Sequence, residues 1–287
     1  MIYILKILLV MILSPVAGCL LKGLDRKITA RLQHREGPPI LQPFYDFLKL
    51  ISKENIAVSK YQNIFVLIYF MFAAASLLMM FFQMDLLMII CVFTISNVAL
   101  ITAGMSTGSP YSKVGSEREI ISMLCYEPVL VFFIVEMYML TGSFRISSID
   151  HLDKPLIFYM PLAFLSMLYI MLIKFKKSPF DLSSSHHAHQ ELVKGIMTEF
   201  SGPALAVIEL THWYEAIFLL GLMFIFAKQY TLLGLAIAAF TYIFAIIIDN
   251  ISARLTWQWM LKFTWTVVIE LTIVNLLGIY FLNLKAL

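Results

Sequence analysis

The chain has 287 residues, of which 61% are apolar and 14% are Asp, Glu, Lys or Arg, with a formal net charge of +3. Soluble domains carry roughly 45–50% apolar and about 25% charged residues, so this composition excludes an ordinary soluble globular protein, and no nucleic-acid partner is expected. A membrane-crossing helix takes about 20 apolar residues, and the chain has room for eight. The three cysteines, Cys19, Cys91 and Cys125, stand apart with no Cys-x-x-Cys pair, so no metal or iron–sulfur site is expected on this polypeptide.

Sustained apolar runs lie at about 2–21, 62–82, 86–106, 118–141, 155–175, 200–227, 230–249 and 262–283. Each reads as a transmembrane helix. The expectation is an all-α, polytopic membrane protein in one transmembrane domain, 1–287. The first run ends in Val16-Ala17-Gly18-Cys19, which has the look of a lipoprotein cleavage box. Lys6 falls inside the run rather than ahead of it, and apolar Leu20 and Leu21 follow the cysteine, so an uncleaved helix with small residues for close packing fits better.

The segment 22–61 is rich in charge, with Asp25, Arg26, Arg31, Arg35 and Glu36 near its start. Within it, residues 40–51 place Phe44, Phe47, Leu48 and Ile51 at the spacing of one helical face. That stretch is too short to span and should lie on the membrane surface or against a partner.

Glu117, Arg118 and Glu119 open the fourth run, and Glu127 lies deeper, directly before Pro128. A mid-helix proline frees the carbonyl of Leu124, and the kink can admit water beside the acid. Between the fifth and sixth runs, 176–199 carries Asp181, Glu191 and Glu199 together with His186, His187 and His189. Three imidazoles so close could bind a metal, but a structural site draws ligands from separated segments, so partner contact or proton buffering is the better reading.

The sixth run carries Glu209, His212 and Glu215 within about a 120° arc, with Tyr214 alongside. The eighth carries Glu270, and Trp257, Trp259 and Trp265 flank its start as interfacial aromatics do. Counted from the helix ends, Glu127, Glu209 and Glu270 each fall about 12–15 Å in. Any one of them could be a protonated packing residue. Three at one depth point to an ion or proton path.

With eight spans both termini share a side, and most Lys and Arg fall in the segments 22–61, 107–118, 174–199 and 250–262. The positive-inside rule makes those segments cytoplasmic and the termini external, in a prokaryotic cell membrane. No catalytic residue is assigned.

Several stretches together resemble the complex I subunit 1 family of proton-pumping oxidoreductases and membrane-bound hydrogenases. They are Leu24 to Gln33, Arg35-Glu36-Gly37-Pro38-Pro39, Leu41-Gln42-Pro43, Tyr126-Glu127, Ser178-Pro179-Phe180-Asp181-Leu182 and Glu199-Phe200-Ser201-Gly202. Two departures resemble the energy-converting, group 4 (Ech-type) nickel–iron hydrogenases instead of complex I. Arg35-Glu36-Gly37-Pro38-Pro39 replaces Arg-Tyr-Gly-Pro-Asn, and Ser183 to Glu191 replaces the acidic run after Phe-Asp-Leu that borders a quinone chamber.

That resemblance implies a cofactor-free subunit that anchors a soluble arm, whose small subunit carries a 4Fe–4S cluster and whose large subunit carries nickel and iron. Ferredoxin would be the donor, and protons or sodium ions would pass toward an antiporter-like membrane subunit. Glu127, Asp181, Glu191 and Glu199 are implied in that route by the resemblance. Glu119, Glu209, His212, Glu215 and Glu270 are placed there by position. Asp25, Arg26, Arg31, Arg35, Glu36, His186, His187 and His189 are expected to meet the soluble arm. The alternatives are the equivalent subunit of a formate hydrogenlyase, of a CO-linked hydrogenase or of a quinone-reducing complex I, then a stand-alone transporter or a purely structural anchor.

Overall fold

The computed structural model describes residues 2–177, 180 and 194–286, with side chains described from residue 4 to 281 within those bounds. Eleven helices are present among them. These are α1 (Ile2–Leu32), α2 (Gln42–Ile51), α3 (Gln62–Phe81), α4 (Leu86–Met105), α5 (Pro110–Thr141), α6 (Leu156–Tyr159), α7 (Pro161–Lys174), α8 (Gly202–Ile225), α9 (Thr231–Ile251), α10 (Trp257–Phe263) and α11 (Ile269–Ala286). A π-helical turn, Thr264–Val268, joins the last two into one rod. Seven helical segments are long and apolar enough to cross a membrane, and the shorter α7 accompanies them. The all-helical, polytopic architecture follows from this.

The boundaries differ from the expected ones for identifiable reasons. Helix α1 does not stop where its apolar run ends at residue 21. It continues through Lys22–Leu32 to a total of 31 residues, about 46 Å at helical rise, so its charged third stands beyond a hydrocarbon core of about 30 Å. Helix α5 begins at Pro110, since proline costs nothing in a first turn where the N–H has no partner. Glu117, Arg118 and Glu119 therefore lie two turns inside the helix instead of at its mouth. The fifth run breaks at Met160, which the ring of Pro161 drives out of the helical region to φ −128° and ψ 56°.

Close approaches set the packing. Gly18 is buried against α8, where an added Cβ would come within 2.5 Å of the Trp213 carbonyl oxygen, so the small residue in α1 does serve helix contact. Gly23 meets the backbone of Ile40 more tightly still. The amphipathic stretch forms α2 and lies along α8 and α1. Its apolar residues divide: Phe47 turns inward to the Trp213 ring, with centroids 5.4 Å apart, whereas Phe44, Leu48 and Ile51 are exposed.

At the end of the bundle away from α2, Lys228 Nζ donates to Asp150 Oδ2 (2.8 Å), Gln83 Oε1 (3.0 Å) and the Ile146 carbonyl (3.0 Å). One ammonium thereby joins three connections. A large apolar core lies between α4, α5, α7, α8 and the last rod, and a smaller one between α3, α4 and the start of α8.

Candidate functional site: a half-buried lysine, its carboxylates and three adjoining cavities

The site is centred on the last residue of α7. Lys174 Nζ stands 4.0 Å from the centroid of the Tyr126 ring and 4.3 Å from that of Phe93. It also donates to Asn97 Oδ1 at 3.2 Å. The carboxyl groups of Glu215, Glu119 and Glu127 lie close enough to act on it. Glu119 and Glu127 both come from α5 and Glu215 from α8, helices whose other faces are largely spent on apolar contact with their neighbours. An ammonium away from bulk water is tolerated only with such compensation, here two aromatic faces, an amide and carboxylates.

Tyr69, Asn97, Glu119, Ser122, Tyr126, Lys174, Lys176 and Glu215 enclose a cavity of about 10 Å³, room for about one water molecule. Buried atoms of its lining residues lack a protein hydrogen-bond partner: the Tyr69 and Tyr126 hydroxyls, Oε1 of Glu215 and Lys176 Nζ. Buried polar atoms of this kind are where structural water binds. Lys174, Lys176 and Glu215 also line a larger chamber of about 390 Å³, together with Lys22, Asp25, Lys177, Glu209, His212 and Trp213. In turn Lys22, Asp25 and Lys177 line a third pocket of about 480 Å³, which reaches Arg26, Arg35, Glu36 and Asp249. Shared walls make the three a graded series from the charged end of the molecule to the spans.

The walls are held by ion pairs. Lys177 Nζ bridges Asp25, at 2.7 and 2.6 Å, and Asp249, at 3.3 Å, so it ties α1 to α9. Lys22 of α1 pairs with Glu209 of α8. Arg26 of α1 donates to Asp46 Oδ2 at 2.8 Å, which fastens α2 to α1, and Gln42 within α2 donates to Asp46 Oδ1 at 3.1 Å. Burial pushes the Asp46 carboxyl up, but the Arg26 and Gln42 hydrogen bonds and the Arg26 charge outweigh it and leave the carboxyl below its ordinary value.

The residues anticipated from sequence separate into groups. Glu119, Glu209, His212 and Glu215 line the two inner cavities, His212 edge-on to Tyr69 with centroids 6.3 Å apart, whereas Glu127 lines none of the three and stands close enough to Lys174 to act on it. Glu270 does not join them; it is exposed on the opposite face of the last rod from buried Thr264, Val268 and Thr272. The depth count that grouped it with Glu127 and Glu209 measured rise and ignored rotation about the helix axis.

Glu199 precedes α8, half-buried, with its backbone carbonyl taking a 3.0 Å bond from Gln62, and it lines none of these three cavities. Of the residues expected to meet a soluble arm, Arg31, Arg35 and Glu36 are exposed, while Asp25 and Arg26 are engaged inside the chain. Asp181, His186, His187, His189 and Glu191 lie outside the described residues. Among the described residues, no three His, Cys, Asp or Glu side chains converge as metal ligands.

Sequence reasoning missed Lys174, Lys177, Tyr69, Asn97 and Asp249. The lysines sit in Lys174-Phe175-Lys176-Lys177, a run read only as positive charge marking a membrane side. The aromatic and amide partners carry no signal of their own.

Comparison with known proteins places the chain. The family pattern described as NADH dehydrogenase matches residues 5–280. NADH-ubiquinone oxidoreductase chain 1 of Apis mellifera ligustica is 28% identical over 97% of this chain and 96% of its own. Hydrogenase-4 component C of Escherichia coli K12 is 31% identical over 66% of this chain and 64% of its own. A chain of the membrane-bound sulfane sulfur reductase, an archaeal respiratory membrane complex, superposes with a TM-score of 0.85 over 97% of this chain and 100% of its own, at 24% identity, which establishes the shared fold. The protein belongs to the complex I subunit 1 family, the membrane subunits of respiratory-type oxidoreductase complexes.

Proposed function

We propose that this chain is the anchoring and ion-coupling membrane subunit of an energy-converting, group 4 (Ech-type) nickel–iron hydrogenase driven by reduced ferredoxin. The observation that carries the coupling role is the graded series of cavities from the charged α1–α2 end to Lys174 and its carboxylates. Polar groups at such depth are expensive, and their usual reason is ion or proton passage. Support for the hydrogenase branch comes from Arg35-Glu36-Gly37-Pro38-Pro39 and Ser183 to Glu191, and from the similarity to a hydrogenase component.

In this reading the α1–α2 end faces the cytoplasm, and exposed Arg31, Arg35 and Glu36 meet the small and large hydrogenase subunits. The 4Fe–4S and nickel–iron groups belong to those partners. Residues of this chain take up a proton at the outer pocket and pass it through Glu209 and His212 to Glu215, where the adjacent Lys174 ammonium biases which carboxylate holds it. Transfer onward is lateral, to an antiporter-like partner. Redox change in the soluble arm alters the charge at the outer pocket, and this shifts the occupancy of the inner carboxylates.

The test is purification of the complex through a tag on this chain. Co-purifying nickel–iron and iron–sulfur subunits with hydrogen evolution from reduced ferredoxin establish the reading. A second reading, the equivalent subunit of a quinone-reducing complex, is favoured by the near full-length similarity to the insect chain. Quinone reduction without hydrogen evolution would establish that one and exclude the first.

A further inference from the structure

Among the described residues outside the Lys174 site, one more acid is fully buried, in the half of the bundle away from α2. Glu136 is 0% exposed, five residues before the end of α5. Asn275 Nδ2 donates to its Oε2 at 2.8 Å, and its Oε1 has no hydrogen-bond partner. Among the described residues, no charged group acts on it.

The surroundings form a polar seam. Helix α5 and the last rod run parallel and in register: Cys125 meets Thr264 near one end, and eleven residues further along both, about 16 Å away, Glu136 meets Asn275. Thr264, Val268, Thr272 and Asn275 share the buried face of that rod. Helix α7 adds Tyr169, whose hydroxyl is 3.1 Å from Thr264 Oγ1, and Ser166, whose hydroxyl donates to the Val268 carbonyl at 3.3 Å. The π-helical turn at Thr264–Val268 lies at this junction, and such turns leave backbone carbonyls out of the regular ladder. The titratable groups on the seam are Cys125 and Tyr169, and Glu270 is on the opposite face of the rod.

A lone carboxylate with one neutral amide donor is not compensated for its loss of water, whereas a proton on Oε1 removes the charge and turns the orphan acceptor into a donor. We propose that Glu136, oriented by Asn275, is a second proton-binding site in the half of the membrane away from α2, connected to the interior along the α5–α7–α11 seam and separate from the Lys174 cluster. The chemistry is reversible binding of a proton: one O–H bond forms at Oε1, no other bond changes, and the carboxylate becomes a neutral acid while Asn275 continues to donate to Oε2.

Infrared spectroscopy of the intact purified complex tests this independently of the electron donor, so its outcome is separable from that of the proposed function. The expected result is a carboxylic-acid C=O band that shifts in D2O, disappears in Glu136→Gln, and moves to higher frequency in Asn275→Ala as its hydrogen bond is lost. If Glu136→Gln fails to assemble, the Asn275→Ala shift, which keeps the carboxyl, decides the matter. No band lost in Glu136→Gln, no shift in Asn275→Ala, or a Glu136 band that does not exchange in D2O would overturn the proposal and leave a sealed packing residue or a permanent carboxylate.

Discussion

Lys177 Nζ lies 2.6 Å from Asp25 Oδ2 and 3.3 Å from Asp249 Oδ2, so a single ammonium closes α1 and α9 over the outer side of the chamber. All three side chains are largely shielded from solvent, at 7%, 15% and 5% exposure. Breaking a buried ion pair by removing one partner costs about 3–5 kcal/mol, because the remaining charge is left without compensation. Lys177→Met is expected to destabilise the purified complex by that order, seen as a lower thermal midpoint. Adding Asp25→Asn should recover part of it, and thermal denaturation of the single and double variants checks both.

Lys174 differs from Lys177 in being caged by rings as well as acids. Lys174→Met removes the one cation that acts on Glu127 and the leading one that acts on Glu215, which also neighbours Glu119. The variant is expected to lose stability by about 3–5 kcal/mol. Adding Glu215→Gln should restore a fraction of it, since the sites are coupled. A double-mutant cycle on thermal stability measures that coupling, and strict additivity would contradict the cluster.

The strap between α2 and α1 has a pH signature. The Asp46 carboxyl lies below its ordinary value of 3.8 in the folded chain, burial notwithstanding, because of Arg26 and Gln42. A depressed carboxylate contributes stability that is complete above the unfolded value and is lost as pH falls through the folded one. Protease cleavage between α1 and α2 should therefore accelerate only below about pH 4. Asp46→Asn should show the faster rate at neutral pH as well. The pair is partly exposed, so the effect is expected to stay within roughly 1 kcal/mol.

Glycine contacts in α1 give a packing test. Gly18→Ala drives a methyl group into the Trp213 backbone, and Gly23→Ala one into the Ile40 carbonyl. Overpacking of this kind costs about 1–3 kcal/mol. Both variants should reduce the amount of assembled subunit in membranes, whereas Gly278→Ala, where an added Cβ meets nothing within 4 Å, should not.

What the sequence discloses follows from how the information is encoded. Runs of about 20 apolar residues announce spans one at a time, and the periodicity of Phe44, Phe47, Leu48 and Ile51 announces α2, because both are local. The pairing of helices is not local. Glu270 and Thr272 are two residues apart on one rod, yet one is exposed and the other buried, and only the neighbours of that rod decide which. The continuation of α1 through Lys22–Leu32 was hidden because charged residues end an apolar run without ending a helix. Glu136 was passed over beside Glu127 and Pro128, which carried a more evident local signal, and its amide partner lies 139 positions away.

The central claim is that the carboxylates around Lys174 carry protons during turnover. The direct measurement is the ion gradient built by inverted membrane vesicles evolving hydrogen from reduced ferredoxin, with Glu127→Gln and Glu215→Gln compared against the unaltered complex. The account predicts that hydrogen evolution persists in both variants while the gradient collapses by about tenfold or more, equivalent to at least roughly 1.4 kcal/mol on the transfer step. An undiminished gradient in assembled, hydrogen-evolving variants would contradict it.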